Sequence, residues 1–364
     1  MKARTGWLVN ALVLAGAVAV ASGLAEVGLR VFLPQPMAVF HEDRDGLVMH
    51  SPGLVIDLPQ FGQTVTFNSA WMRDREHSAS KAPGVYRILL LGDSFIEALQ
   101  VPFEVSFANV LDQALRRITG RSVEVINAGV SGWGTDDELQ YLMRYGIHWQ
   151  PDLVLVALTL HNDVSDNLRE RWHTLRDGEL VDQPVRRASL LAYKVTELKA
   201  FLASHSHLYQ LCRRVEHRGD IRKTGKELKQ HVAELFEEPT PDVIARGLRL
   251  TGLELRRLQA VSAAHHARAA LVLIPLKLQV SSPATSQRSG GDTLNLQRSN
   301  RPQRLLRAIA DSLGLLTIDL LPVFTHSTSE YGELYLQEGH WNPTGHLVAA
   351  DSVAAALAQS GVLD

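Results

Sequence analysis

Five short apolar runs, at residues 86–91, 123–126, 153–160, 270–275 and 316–320, constrain the fold of this chain more than any other feature. Each is rich in Leu, Ile and Val without polar alternation, the pattern of strands covered on both faces. Longer amphipathic stretches separate them, which predicts a parallel sheet with crossover helices. Residues 107–118 carry Val110, Leu111, Ala114, Leu115 and Ile118 at helical spacing, and 137–145 read the same way. Thr240-Pro241 offers a capping residue and a first-turn proline for a helix running to about residue 265. The 364 residues allow one large α/β domain with insertions or two small domains, and 45% hydrophobic with 21% charged residues is an ordinary globular balance.

One crossover is much longer than the others. About a hundred residues separate Val164 from Ala269, where a βαβ connection needs about a dozen or slightly more. This insertion, about 165–268, is charged and helix-prone, with helices expected at 190–211 and 226–236. It reads as a lid, a partner surface or a cover for the sheet edge. A second segment, 281–301, is polar and Gly/Ser-rich and reads as a mobile loop.

The first residues carry a different signal. Lys2 and Arg4 precede an apolar stretch over 7–25, broken only by Asn10 and Ser22. About 20 apolar helical residues cross a hydrocarbon core, whereas a signal-peptide core runs about 7–15. Length therefore favours a retained anchor, with a cleaved signal peptide at Ala19-Val20-Ala21 as the alternative. Cations ahead of the stretch leave the N-terminus in the cytoplasm and the rest of the chain outside. The expected division is an anchor or signal peptide at 1–34, a linker and small β-rich preamble at 35–83, and the α/β domain at 84–364.

A net charge of -2 supplies no basic excess for a nucleic-acid partner, and Cys212, the only cysteine, forms no intramolecular disulfide. His205, His207, His265 and His266 lack a Cys or carboxylate cluster at ligand spacing and read as solvated helix surface, so no metal is expected. Arg213 and Arg214 read as a solvated face or a contact to anionic headgroups.

Chemistry is suggested where strands end, the edge at which open α/β sheets hold ligands. Gly92-Asp93-Ser94-Phe95 follows the first run, where a serine can expose its hydroxyl and receive N–H groups from the turn. Asn127–Thr135 holds Gly129, Gly132 and Gly134 directly after the second run, and Leu160-His161-Asn162-Asp163 ends the third. His161 reads as a pocket-lining or packing residue. Glu338-Gly339-His340-Trp341-Asn342-Pro343 precedes an Ala-rich helix. Singly, these are a turn, turn glycines, a helix cap and a His-Trp core or interface pair. Together and in order they supply a nucleophile, a glycine N–H, an amide donor and a late histidine, as acyl transfer needs.

In this order the blocks resemble the SGNH (GDSL-type) hydrolase superfamily, and a single anchor ahead of such a domain resembles its membrane-anchored bacterial envelope members. The resemblance runs from about Asn68 to the C-terminus. It implies a flavodoxin-like three-layer α/β/α domain with a five-stranded parallel sheet and, here, a helical insertion after the third strand. By position it assigns Ser94 as nucleophile, His340 as general base, and Gly132 and Asn162 as oxyanion-hole donors. Family members hold the histidine with an aspartate two or three residues ahead of it. Here those positions are Glu338 and Gln337, and Glu338 matches the spacing of the Asp-x-His variant of polysaccharide acetylation proteins. The implied activity is that of a serine esterase acting without cofactor on a small acyl ester, expected to be O-acetyl on an envelope carbohydrate. The alternatives are an O-acetyltransferase that passes the acyl group to a glycan hydroxyl, or a non-catalytic binding or assembly module, toward which the glutamate leans.

Overall fold

The computed structural model describes residues 2–160, 162–185, 187–216, 227–280 and 299–364. His161 and most of the 281–301 loop lie outside the described residues. Strands β1 (Phe40–Glu42) and β2 (Val48–His50) form one antiparallel hairpin, and β3 (Val55–Leu58) and β4 (Gln63–Thr66) a second. The main sheet comprises β5 (Tyr86–Gly92), β6 (Val123–Gly129) and β7 (Leu153–Thr159). After the hairpin β8 (His173–Arg176) and β9 (Glu179–Asp182), it is completed by β10 (Arg268–Ile274) and β11 (Leu316–Asp319). All five expected runs are its strands, and their pairings are parallel.

The spatial order β6-β5-β7-β10-β11 is the flavodoxin-like 2-1-3-4-5 arrangement. Because successive strand residues face opposite layers, the runs feed two cores. Leu89, Leu91, Val154 and Val156 pack with one layer of helices, which includes Thr135–Arg144, Asp242–Ala264 and Arg301–Ser312. Ile88, Leu90, Leu153 and Leu155 pack with the other, which includes Phe107–Thr119, Leu321–Tyr331 and Pro343–Gln359. The order reverses between β5 and β7, so their carboxyl ends open a crevice.

Four local expectations need correction. The insertion is not purely helical, since Asp177-Gly178, both at positive φ (51° and 86°), closes the β8–β9 hairpin. An Asp-Gly pair between extended residues is a strong two-residue turn signal. The expected 190–211 helix is two, Leu190–His205 and His207–Glu216, divided at Ser206. Pro241, not Thr240, occupies the cap position of Asp242–Ala264, while the Thr240 hydroxyl accepts from Arg301 at 2.8 Å. His207 is buried with Nδ1 accepting the Gln35 N–H at 2.8 Å, and His265 and His266 follow the end of their helix.

Among the described residues, one helix is long and apolar enough to cross a membrane: the Val9–Phe32 stretch of Lys2–Phe32, with mean hydropathy 2.0.

Candidate active site

Ser94 begins the four-residue helix Ser94–Glu97 immediately beyond β5. Asp93 caps this helix, its Oδ1 accepting the Phe95 N–H and the Thr159 hydroxyl, each at 3.0 Å. The cap therefore joins the end of β5 to the end of β7. Small residues allow the helix to lie flat on the sheet edge. Gly92 stands in register with Gly129 on one side and Ala157 on the other. A Cβ on Gly129 would come within 2.6 Å of the Glu97 backbone nitrogen, and one on Gly92 within 2.4 Å of the Ile96 side chain.

His340 reaches this helix from a chain segment 246 residues away, placing Nε2 2.9 Å from Ser94 Oγ. Its loop is held from several sides. Trp341 is fully buried and packs edge-on to Phe95, with centroids 5.0 Å apart. The Leu336 N–H donates to the His340 carbonyl at 2.7 Å, and Lys277 Nζ donates to the carbonyls of Leu336 and Gln337 at 2.8 and 3.2 Å. Phe95 also packs against the imidazole, at a centroid distance of 5.2 Å. Burial holds the His340 pKa below the usual imidazole range, with Glu338 and Glu97 acting in the opposite sense. Glu338 Oε1 lies 3.7 Å from His340 Nδ1, within ion-pair range but beyond a hydrogen bond, and among the described residues the buried Nδ1 has no hydrogen-bond partner.

Gly132 lies in the turn after β6, at a φ of +82° that favours glycine, with open space where a Cβ would stand. Asn162 follows β7 and occupies the cap position of Asp163–Asp166 without a side-chain capping bond. Its Nδ2 instead donates to Asp166 Oδ2 at 2.8 Å. The Asn162 side chain also bonds the Asp93 carboxylate, so both acidic neighbours hold the amide in place. Ser94, Gly132 and Asn162 thus follow the three adjacent strands β5, β6 and β7, with His340 bonded to the first of them.

Residues outside the expected set tie these parts together. Glu97, fully buried, receives the Ser131 N–H on Oε2 at 3.2 Å and the Ser131 hydroxyl on the same oxygen. Its other oxygen pairs with buried His50 Nε2 at 2.6 Å, and His50 Nδ1 donates to the Trp71 carbonyl at 2.8 Å. One carboxylate thereby connects the Ser94 helix, the turn before Gly132 and the β2 hairpin. Arg73, also buried, donates to the carbonyls of Glu97, Ala98 and Val101 at the helix C-terminal end. The sequence signal for Glu97 is a charged residue set in apolar surroundings, Phe95-Ile96-Glu97-Ala98-Leu99, whereas Arg73 opens the charged run Arg73-Asp74-Arg75-Glu76 and carries none.

Behind Asp93 lies an acidic interior. Asp93, Glu138 and Asp163 are fully or almost fully buried, and among the described residues neither Glu138 oxygen has a hydrogen-bond partner. Burial, reinforced by mutual repulsion, raises Glu138 and Asp163 well above the carboxylate range and pushes Asp93 up to about 7. Among the described residues, no group of three or more His, Cys, Asp or Glu has the arrangement of a metal site.

Residues 241–364, which include Glu338 and His340 but not Ser94, Gly132 or Asn162, match a family model described as SGNH hydrolase-like domain, acetyltransferase AlgX. A curated arylesterase of Vibrio mimicus is 39% identical over 72 residues, which cover 20% of this chain and 36% of that protein. Among solved structures, an acetyl xylan esterase shares 13% identity with a TM-score of 0.42, over 74% of this chain and 99% of that one. The esterase EstA of Pseudoalteromonas shares 14% identity with a TM-score of 0.40, over 75% of this chain and 97% of that one.

Proposed function

We propose that this chain, which carries an SGNH hydrolase-like domain, is a serine esterase that removes or moves a small acyl group. The contact of 2.9 Å between His340 Nε2 and Ser94 Oγ carries this reading. A serine hydroxyl is a weak nucleophile at neutral pH and needs a base within hydrogen-bond reach. Ser94 Oγ attacks the ester carbonyl carbon as His340 Nε2 takes the hydroxyl proton. The carbonyl oxygen becomes an oxyanion, received by the backbone N–H groups of Ser94 and Gly132 and the side-chain amide of Asn162. The intermediate collapses, the C–O bond to the leaving alcohol breaks, and His340 returns the proton to that alcohol. Water, deprotonated by His340, then attacks the acyl-enzyme and releases the acid and Ser94. Glu338 stabilises the imidazolium through space at 3.7 Å.

The acyl group is acetyl and its carrier a carbohydrate of the cell envelope. The matched family is described as an acetyltransferase and one similar structure is an acetyl xylan esterase. An apolar N-terminal helix, read as a membrane anchor with the domain outside the cytoplasm, supports an envelope substrate. A second reading follows from the matched family: a glycan hydroxyl replaces water in the last step, which makes the protein an O-acetyltransferase.

Acetyl release from p-nitrophenyl acetate, followed for wild type and Ser94→Ala, tests the reading. Release by wild type alone supports it, and equal release by both proteins contradicts it. Including an oligosaccharide acceptor and analysing products separates free acetate from acetylated glycan.

A further inference from the structure

The insertion after β7 is bonded to the N-terminal helix. The Glu26 carboxylate accepts from the Ser206 hydroxyl and from the N–H groups of His207 and Leu208, each at 2.9 Å. It satisfies free N–H groups at the start of the helix His207–Glu216. Arg30, one turn further, pairs with Glu26 at 2.8 Å and donates to the His205 carbonyl at 2.5 Å. The Ala38 N–H donates to the Ala203 carbonyl at 3.1 Å. The C-terminal end of Leu190–His205 is therefore fixed beside the residues that directly follow the apolar stretch 7–25.

That helix has two unlike faces. Ala203 and Ser204 are buried, and Tyr193 on the same side joins its hydroxyl to His41 Nε2 of β1 at 3.0 Å. Opposite them stand Leu190, Leu191, Val195, Leu198 and Phe201, all exposed, from 45% at Val195 to 77% at Leu191. At 3.6 residues per turn these five fall within an arc of about 140°. Lys194 projects within this arc, its ammonium paired with Glu197 at 2.6 Å, and an exposed apolar face of this kind marks a membrane or partner surface.

We propose that this face lies in the interfacial layer of the bilayer entered by the N-terminal helix, so that the insertion is a second, surface-lying membrane contact. The proposal rests on the anchor reading of the N-terminal helix. Continuity identifies lipid as the occupant. The hydrogen bonds from Glu26 and Arg30 hold one end of the face beside the last turns of the Val9–Phe32 span, where charged residues follow the unbroken apolar stretch. Lys199 flanks the face beside Val195, and a long lysine stem lets an ammonium reach headgroup phosphates while the helix is immersed. Two contacts fix the orientation of the catalytic crevice over the membrane, where a single flexible tether leaves it free.

The test uses the full chain with Cys212→Ser and one new cysteine, Leu191→Cys, Leu198→Cys or Phe201→Cys, carrying a nitrobenzoxadiazole fluorophore. The protein is reconstituted in vesicles of phosphatidylethanolamine and phosphatidylglycerol, with and without doxyl-labelled lipid. Val18→Cys reports on the anchor, and Ile118→Cys is an exposed apolar position on Phe107–Thr119. The proposal expects several-fold stronger quenching at Leu198 and Phe201 than at Ile118, together with strong quenching at Val18. Quenching at Val18 with none above the Ile118 level on the insertion overturns the proposal and leaves the anchor standing. Absence of quenching at Val18 overturns the anchor reading and the proposal together. Shielding of Phe201 that depends on protein concentration and not on labelled lipid assigns the face to a second copy of the chain.

Discussion

At the scale of single residues, Glu338 sets an expectation for pH. His340 must be neutral to accept the Ser94 proton, and burial lowers its pKa. The acid limb of kcat/KM therefore lies below the ordinary imidazole value. Glu338 favours the charged imidazole, so Glu338→Gln moves that limb further toward acid while kcat falls, as a pH profile of both proteins will show. A rise of the limb would contradict the assigned interaction. In the proposed mechanism Asn162→Ala loses one oxyanion donor, which is expected to lower kcat by about 10²–10³ with KM little changed. Glu97→Gln weakens the charge-assisted bonds to Ser131 and His50, so it lowers kcat through misplacement of the Gly132 turn. Steady-state kinetics on a folded variant measures each split.

Elements explain how the sheet edge was read from sequence. The inner strands β5, β7 and β10 were legible because burial on both faces writes them as apolar runs. The edge strands β6 and β11 admit Glu124, Thr317 and Asp319 and were legible by their place between helices. The order 2-1-3-4-5 brought the strand ends to one crevice. Ser94 and His340 were legible as motifs, yet their meeting across 246 residues is a property of the fold. The links through Glu97, His50 and Arg73 were not legible, since each partner lies at least 24 residues away and no local pattern pairs them. The break at Ser206 was hidden for a similar reason: its cause is a carboxylate 180 residues distant. The short helix must also lie close to β6, which constrains Gly129. Gly129→Ala drives a methyl group against the Glu97 backbone, so thermal unfolding should show a loss of about 1–3 kcal/mol, as overpacking costs. Unchanged melting would show that the helix can lift.

Over the whole molecule, the acidic interior makes stability pH-dependent. An unfolded aspartate ionises near 3.8, whereas burial pushes Asp93 up to about 7. Between these values the unfolded chain binds fewer protons, so stability falls as pH rises through the window. Asp93→Asn has no such proton to lose and should show a shallower fall of Tm between pH 4 and 7 than wild type. A steeper fall would contradict the burial account. The central claim concerns Ser94, and the most direct measurement is labelling with a fluorophosphonate, followed by peptide mass mapping. The account predicts one adduct, on Ser94, formed by wild type and lost in both Ser94→Ala and His340→Ala. An adduct on another residue, or equal labelling of wild type and the two variants, would contradict it.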